Sequence, residues 1–275
     1  MNGQMELVSA RTVKGPDPVP DLAAVDRLVI SNSGGKDSIA AMDEAVNLAD
    51  EAGVRDRIVV LHIDLGRTPG GQSVEWPGTA DLARRQAAYY GLPFEVRRLG
   101  KWPSLFHRIR ARGQFPHLMT RFCTSEKRAA AHRFITEQVN ALGVSGRPAR
   151  IVHVMGFRAQ ESRARARRPA LEVDHRASSG RRTVTQWYPV LRWSEAEVWQ
   201  RIRDRGLPYH WAYDAGMSRL SCSLCVLASV PDLTCAAGLR PELAREYADL
   251  EEEMGVPFRR ELSMAEVIRR AGDGA

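Results

Sequence analysis

Four short apolar runs, at residues 28–32, 58–63, 94–99 and 151–156, each close on a polar residue or a glycine, the pattern of strands buried on both faces of a parallel sheet. Between them, residues 39–51, 79–90 and 125–142 place apolar side chains at helical spacing. The alternation predicts a βαβ series, hence an α/β fold with a doubly wound, mostly parallel sheet whose ligand lies at the carboxyl ends of the strands. Residues 183–190 supply a fifth strand. Beyond Pro189 the pattern turns to helices and loops. Ser194 as cap and Glu197 three residues on form a capping box that opens a helix through Arg203, and residues 242–254 and 264–270 read as two more helices. The organisation expected is a leader at 1–24, an α/β domain at 25–190 and a helical C-terminal appendage at 191–275.

Composition changes this picture little. With 44% hydrophobic and 27% charged residues in 275, the chain has the make-up of a soluble globular protein able to bury a sizeable core. No apolar run approaches the roughly 20 residues that span a bilayer, so no membrane partner is expected. The first 20 residues lack a hydrophobic signal region and carry Pro16, Pro18 and Pro20. They read as a flexible leader, which makes the expected location cytoplasmic. A net charge of +7 favours polyanionic partners. Arg158, Arg163, Arg165, Arg167, Arg168, Arg176, Arg181 and Arg182 crowd one short region, which reads either as a solvated loop or as a phosphate or nucleic-acid surface.

The first strand runs into Ser33-Gly34-Gly35-Lys36-Asp37-Ser38, and a helix follows. Two glycines let an oxyanion approach the main chain, while the amides and the helix N-terminus supply donors and positive potential. Lys36 adds a point charge, and Asp37 suits either a helix cap or a magnesium ligand. The spacing is shorter than that of a Walker loop. The second strand ends at Asp64, read as a nucleotide or metal contact or as a turn-initiating residue before Gly66. The fourth strand ends in Gly156-Phe157-Arg158-Ala159-Gln160-Glu161-Ser162-Arg163. There Gly156 permits close backbone approach, Arg158 and Arg163 can fork onto phosphate oxygens, and Glu161 can orient one guanidinium. His62 alone of the seven histidines sits at a strand end worth testing.

The four cysteines are Cys123, then Cys222, Cys225 and Cys235, the last in a segment with Pro231 that reads as a loop. In a cytoplasmic chain such a set is a metal site sooner than disulfides, and four thiolates suit either structural zinc or a four-iron four-sulfur cluster. Lys127 and Arg128, on the helix after Cys123, would tune such a site, bind phosphate or serve as surface charge.

The Ser33–Ser38 loop resembles the pyrophosphate loop of the PP-loop ATP pyrophosphatases, of the adenine nucleotide alpha hydrolase-like fold, a group that includes the phosphoadenylyl-sulfate reductases. The segments 156–163, 187–199 and 206–216 are similar in order to the reductase branch. Arg121-Phe122-Cys123-Thr124 followed by Lys127 resembles the first ligand segment of its iron-sulfur members, although position 122 is Phe where assimilatory reductases carry a second cysteine. The resemblance, over residues 25–230, implies that Ser33, Gly34, Gly35, Lys36, Asp37 and Ser38 hold the pyrophosphate of ATP with Mg2+, and that Asp64 touches nucleotide or metal. It further implies that Gly156, Arg158 and Arg163 clamp phosphate, with Lys36, Asp37, Arg158 and Arg163 as the catalytic set, and that the four cysteines hold a four-iron four-sulfur cluster, with Cys235 as fourth ligand. No cysteine follows Cys235, so the tail thiol of the true reductases is not expected. The branch implied is the DNA-phosphorothioation proteins DndC and SspD, with DNA, a cysteine desulfurase and other proteins of that system as partners. Adenylyl-sulfate reduction, tRNA thiolation and a non-catalytic zinc-stapled nucleotide module are the alternatives.

Overall fold

The predicted strands become neighbours in one sheet. The computed structural model describes residues 18–273, so most of the leader expected at 1–24 lies outside it. Within the described part, Leu22–Ala24 make a 3-10 turn with Leu22 buried in the core. The strands are β1 (Arg27–Ser31), β2 (Ile58–Asp64), β3 (Phe94–Arg98), β4 (Ala149–Met155), β5 (Leu171–Val173) and β6 (Arg182–Trp187). They lie in the order β3-β2-β1-β4-β6-β5, all parallel except β5, which pairs antiparallel with β6 at one edge. The sheet thus has six strands where five were expected. Three residues are too few to show a period, which is why β5 left no signal in the sequence.

Register follows the apolar runs. Ile30 stands beside Val60 on one side and Val154 on the other, and all three are buried. Each such fully buried aliphatic side chain contributes about 1.5–3 kcal/mol. One face is covered by α1 (Lys36–Glu51), α2 (Thr79–Tyr89) and α6 (Glu195–Asp204), whose apolar residues share a core with Leu28, Ile30, Val152 and Val154. The other face is covered by α4 (Phe122–Leu142) through Ala131, Phe134, Ile135 and Val139. Helix α6 opens with the expected capping box: Ser194 Oγ accepts from the Glu197 amide, and the Glu197 carboxylate accepts from the Ser194 amide.

Asp43 of α1 is fully buried and receives Tyr90 Oη at 2.7 Å, Arg201 at 2.5 Å and Arg205 at 3.3 Å. A buried carboxylate holds its charge only with such partners. Two of the three come from α6 and the residue after it.

A second core joins α3 (Leu105–Arg112), α7 (Val230–Leu239), α8 (Pro241–Met254) and α9 (Met264–Asp273) with Leu65, Val74 and Trp76 of the β2–α2 connection. Cys235 lies inside α7, not in the loop expected. Ser229 caps that helix by accepting the Asp232 amide, and Pro231 sits in the first turn, where its missing N–H has no helical partner to lose. A last short helix, α5 (Arg163–Ala166), follows the β4 loop.

Candidate nucleotide site and thiol group

The chain runs from β1 toward β2 and from β4 toward β6, on opposite sides of this neighbouring pair, so the segments after β1 and β4 meet at the switch point where α/β sheets bind ligands in a crevice. Residues 32–38 line one wall and 156–163 the other. Asn32, which is 2% exposed, builds the first wall: its Oδ1 accepts from the Gly34 amide at 2.8 Å and from Ser38 Oγ at 3.0 Å, while its Nδ2 donates to Gln86 at 2.9 Å. Gly34 has φ +74°, the left-handed region that side chains avoid, and the turn needs that angle. Gly35 is the N-cap of α1. Among the described residues the amides of Gly35 and Asp37 meet no acceptor, so they are available to an anion. Ser33 is exposed at the mouth, with its Oγ 3.3 Å from that of Ser38.

Lys36 is buried. Its amide donates to Tyr213 Oη at 3.0 Å, its Nζ donates to the Ser218 carbonyl at 2.9 Å and lies 3.3 Å from Glu195 Oε1. Facing it, Arg158 is 4% exposed and pairs with Asp37. The Arg158 amide donates to Glu161 Oε2 at 2.8 Å, and its guanidinium donates to Gln160 Oε1 at 3.1 Å. Burial raises the Asp37 pKa above its ordinary value despite the lowering by Lys36 and Arg158. The two walls touch at Gly156. A Cβ there would stand 2.3 Å from the Asp37 carbonyl oxygen, so the close approach that glycine permits is to the start of α1.

Other expected residues lie elsewhere. Arg163 is exposed on α5 and, among the described residues, makes no hydrogen bond or ion pair to the loop, and Glu161 pairs with Arg165. Asp64 accepts the Gly66 amide at 2.8 Å and lies 3.3 Å from Arg98, the arrangement of a turn-initiating carboxylate. The strand-end residue that touches the loop is His62, whose Nδ1 is 2.9 Å from the Asn32 carbonyl and whose Nε2 is 3.2 Å from Glu75 Oε2. Burial works against the imidazolium, but hydrogen bonding and charge from Glu75 outweigh it and the His62 pKa rises.

Glu75 carries this network toward the thiols, since it pairs with Cys222 in an isolated antiparallel bridge. Cys222 and Cys225 act on each other's thiols. Cys222 pulls the Cys225 thiol down, and Cys225 pushes Cys222 up. Burial and the neighbouring Cys225 raise Cys123. Lys127 sits among them: burial opposes its charge, but Glu75, Cys222, Cys123 and Cys225 together raise its pKa. Cys235 is apart, with its Sγ 3.3 Å from the Ala215 carbonyl. Among the described residues no set of three or more His, Cys, Asp or Glu side chains stands in metal-binding geometry. The donor chemistry of Cys123, Cys222 and Cys225 around one cation nevertheless suits a soft metal or an iron-sulfur centre.

On the α4 side, Ser31 Oγ and His153 Nε2 are 2.7 Å apart, and His153 Nδ1 is buried with no partner among the described residues. Burial pushes the His153 pKa down to about 4.

Asn32, Glu75 and Glu195 went unnoticed in the sequence. Asn32, two residues ahead of Gly34, carries an Asx-turn signature that reveals it in hindsight. Glu75 reaches His62 across 13 positions with no local pattern.

Residues 27–228 match the phosphoadenosine phosphosulfate reductase domain, and the chain belongs to that family. It is 28% identical over 149 residues to an uncharacterized 37.8 kDa protein of Escherichia phage 186, which covers 54% of this chain and 42% of the phage protein. It is 37% identical over 75 residues to the adenosine 5'-phosphosulfate reductase of Allochromatium vinosum, covering 27% of each. The chain therefore spans less than half the length of these curated relatives. Among solved structures, the phosphoadenylyl-sulfate reductase of Candida auris in its phosphate complex superimposes with a TM-score of 0.45 at 18% identity, over 74% of this chain and 84% of that one. The U34-tRNA thiolase NcsA of Methanococcus maripaludis, with its [4Fe-4S] cluster, gives a TM-score of 0.44 at 14% identity, over 92% and 73%.

Proposed function

We propose that this protein is an ATP pyrophosphatase of the sulfur-transfer type. ATP with Mg2+ enters the crevice, its β,γ-pyrophosphate resting on the Gly35 and Asp37 amides, on Lys36 and on Arg158. An acceptor oxygen attacks the α-phosphorus, pyrophosphate leaves, and the adenylylated acceptor is then open to displacement of AMP by sulfur. The residues act by positioning and charge: Lys36 and Arg158 neutralise the leaving pyrophosphate, and Asp37 holds the guanidinium in place. Cys123, Cys222 and Cys225 would hold an iron-sulfur cluster, with Cys235 as the fourth ligand if its thiol turns from Ala215. When bound, the cluster supplies sulfur or electron relay. The acceptor we favour is a DNA backbone phosphate, as in the SspD and DndC proteins, with sulfur delivered from a cysteine desulfurase.

The observation that supports this reading above others is the crevice between β1 and β4. There two anion-ready amides and two buried cations meet, and His62 and Glu75 link that crevice to three thiols. Anaerobic purification, an absorbance spectrum and a pyrophosphate-release assay with DNA, with tRNA and without nucleic acid test it. A brown protein releasing pyrophosphate with DNA is expected; a colourless protein that binds ATP without turnover overturns it. The similarity to an adenosine 5'-phosphosulfate reductase favours one second reading, reduction of adenylyl sulfate, and sulfite release from that substrate would establish it.

A further inference from the structure

Glu195 stands where the phosphate loop and Arg158 both offer positive charge. Its Oε1 is 3.3 Å from Lys36 Nζ and its Oε2 is 3.9 Å from the Arg158 guanidinium. The two cations are 3% and 5% exposed, whereas the Glu195 side chain is 51% exposed, so the carboxylate lies over them from the solvent side. Its position is held by the backbone: the Glu195 amide donates to Gln160 Oε1 at 3.2 Å, and the same oxygen accepts from Arg158. Glu195 is also the first residue of α6, and the Ser194 cap fixes that end of the helix. A carboxylate with one oxygen toward each cation offers them the charge that a phosphoryl group would bring.

We propose that Glu195 is a specificity-determining gate: its carboxylate is an internal ligand of the two cations, and an anion of higher charge, a di- or triphosphate, displaces it most readily. This deepens the reading of the loop as a pyrophosphate site and rests on it. The displaced carboxylate returns to water at small cost because it is half exposed already. Inorganic phosphate or a nucleoside monophosphate reaches the two cations with less charge and competes less well. Substituting Glu195 removes the competitor, so every anion binds tighter by a similar factor, and weakly charged anions rise into a detectable range.

The test is calorimetric titration of inorganic pyrophosphate and inorganic phosphate into the full chain without Mg2+, for wild type, Glu195→Gln, Glu195→Ala and Lys36→Ala. Both Glu195 variants keep the Ser194–Glu197 box, and thermal melting checks that each is folded. Two partly exposed ion pairs are worth about a tenfold change, so pyrophosphate should bind roughly ten times tighter to either variant, and phosphate should gain by a similar factor. The gain should shrink in 1 M NaCl, where the screening length falls to about 3 Å. Equal or weaker pyrophosphate binding by folded Glu195 variants, with Lys36→Ala still losing binding, overturns the gate and leaves the loop assignment standing. Wild type and Lys36→Ala binding pyrophosphate alike, or no variant binding it, overturns the loop assignment and the gate with it.

Discussion

Replacing Gly156 by alanine tests the seam on which the crevice depends. The added Cβ would meet backbone alone: the Asp37 carbonyl oxygen at 2.3 Å, its carbon at 2.5 Å and the Ser38 nitrogen at 2.6 Å. Contacts below 3.0 Å are not tolerated, so β4 and the start of α1 must part by about 0.7 Å, and no side chain can move aside to absorb it. Overpacking of this kind costs about 1–3 kcal/mol, which at roughly 2–4 °C per kcal/mol lowers the melting temperature by about 5 °C. The same opening draws Asp37 away from Arg158, so pyrophosphate binding should weaken alongside. Differential scanning calorimetry and pyrophosphate titration read the two effects. Gly180→Ala is the control, since its Cβ meets nothing within 4 Å. If Gly156→Ala melts and binds as wild type does while the control is also silent, the close approach of the two walls is not what shapes the site.

Lys36→Ala should cut pyrophosphate release by about 100-fold or more, the scale of losing one preorganised charge contact, while iron content and the visible spectrum stay unchanged. Asn32→Ala strands the Gly34 amide and the Gln86 side-chain oxygen, each costing about 1–3 kcal/mol if left unpaired, while the Ser38 hydroxyl keeps the Gly35 carbonyl; urea denaturation should show a loss of at least about 2 kcal/mol. His153, with a folded pKa of about 4 against 6.5, binds its proton first in the unfolded chain. Its contribution is therefore fully present above pH 6.5 and lost as pH falls toward 4, by up to about 3 kcal/mol at 1.36 kcal/mol per unit. His153→Gln should flatten that part of the stability profile, and identical profiles would refute it. Cys123→Ser, Cys222→Ser and Cys225→Ser should each lose the iron measured after anaerobic purification. Cys235→Ser should lose iron as well if the thiol turns from Ala215 to complete the cluster, and unchanged iron would remove Cys235 from the ligand set.

What the sequence made legible was whatever repeats within a few residues. Apolar runs located five strands to within two or three residues, and Ser194 with Glu197 announced α6. The loop was legible because Ser33–Ser38 carries its glycines and lysine together. Helix α3 shows little periodicity because arginines interrupt its apolar face, and the segment with Pro231 reads as a loop although the Ser229 cap two residues earlier makes it the start of α7. The contacts that join Lys36 to Tyr213, Ser218 and Glu195 span 159 to 182 positions, and no local pattern encodes them. His62 was noticed as a strand-end residue, but its partner Glu75 was not, since the pair forms only after the β2–α2 connection folds back.

Asp43 makes the two halves of the chain mutually obligate. A polypeptide cut near residue 190 would keep every strand of the sheet yet lose Arg201 and Arg205, leaving the sealed Asp43 carboxylate with only the Tyr90 phenol and the Asn47 amide for company. The helix that would suffer first is the one that begins at Lys36. Any attempt to transplant the glycine-rich turn into a shorter scaffold must therefore bring α6 along, because the counterions that steady its supporting helix are encoded some 160 residues downstream.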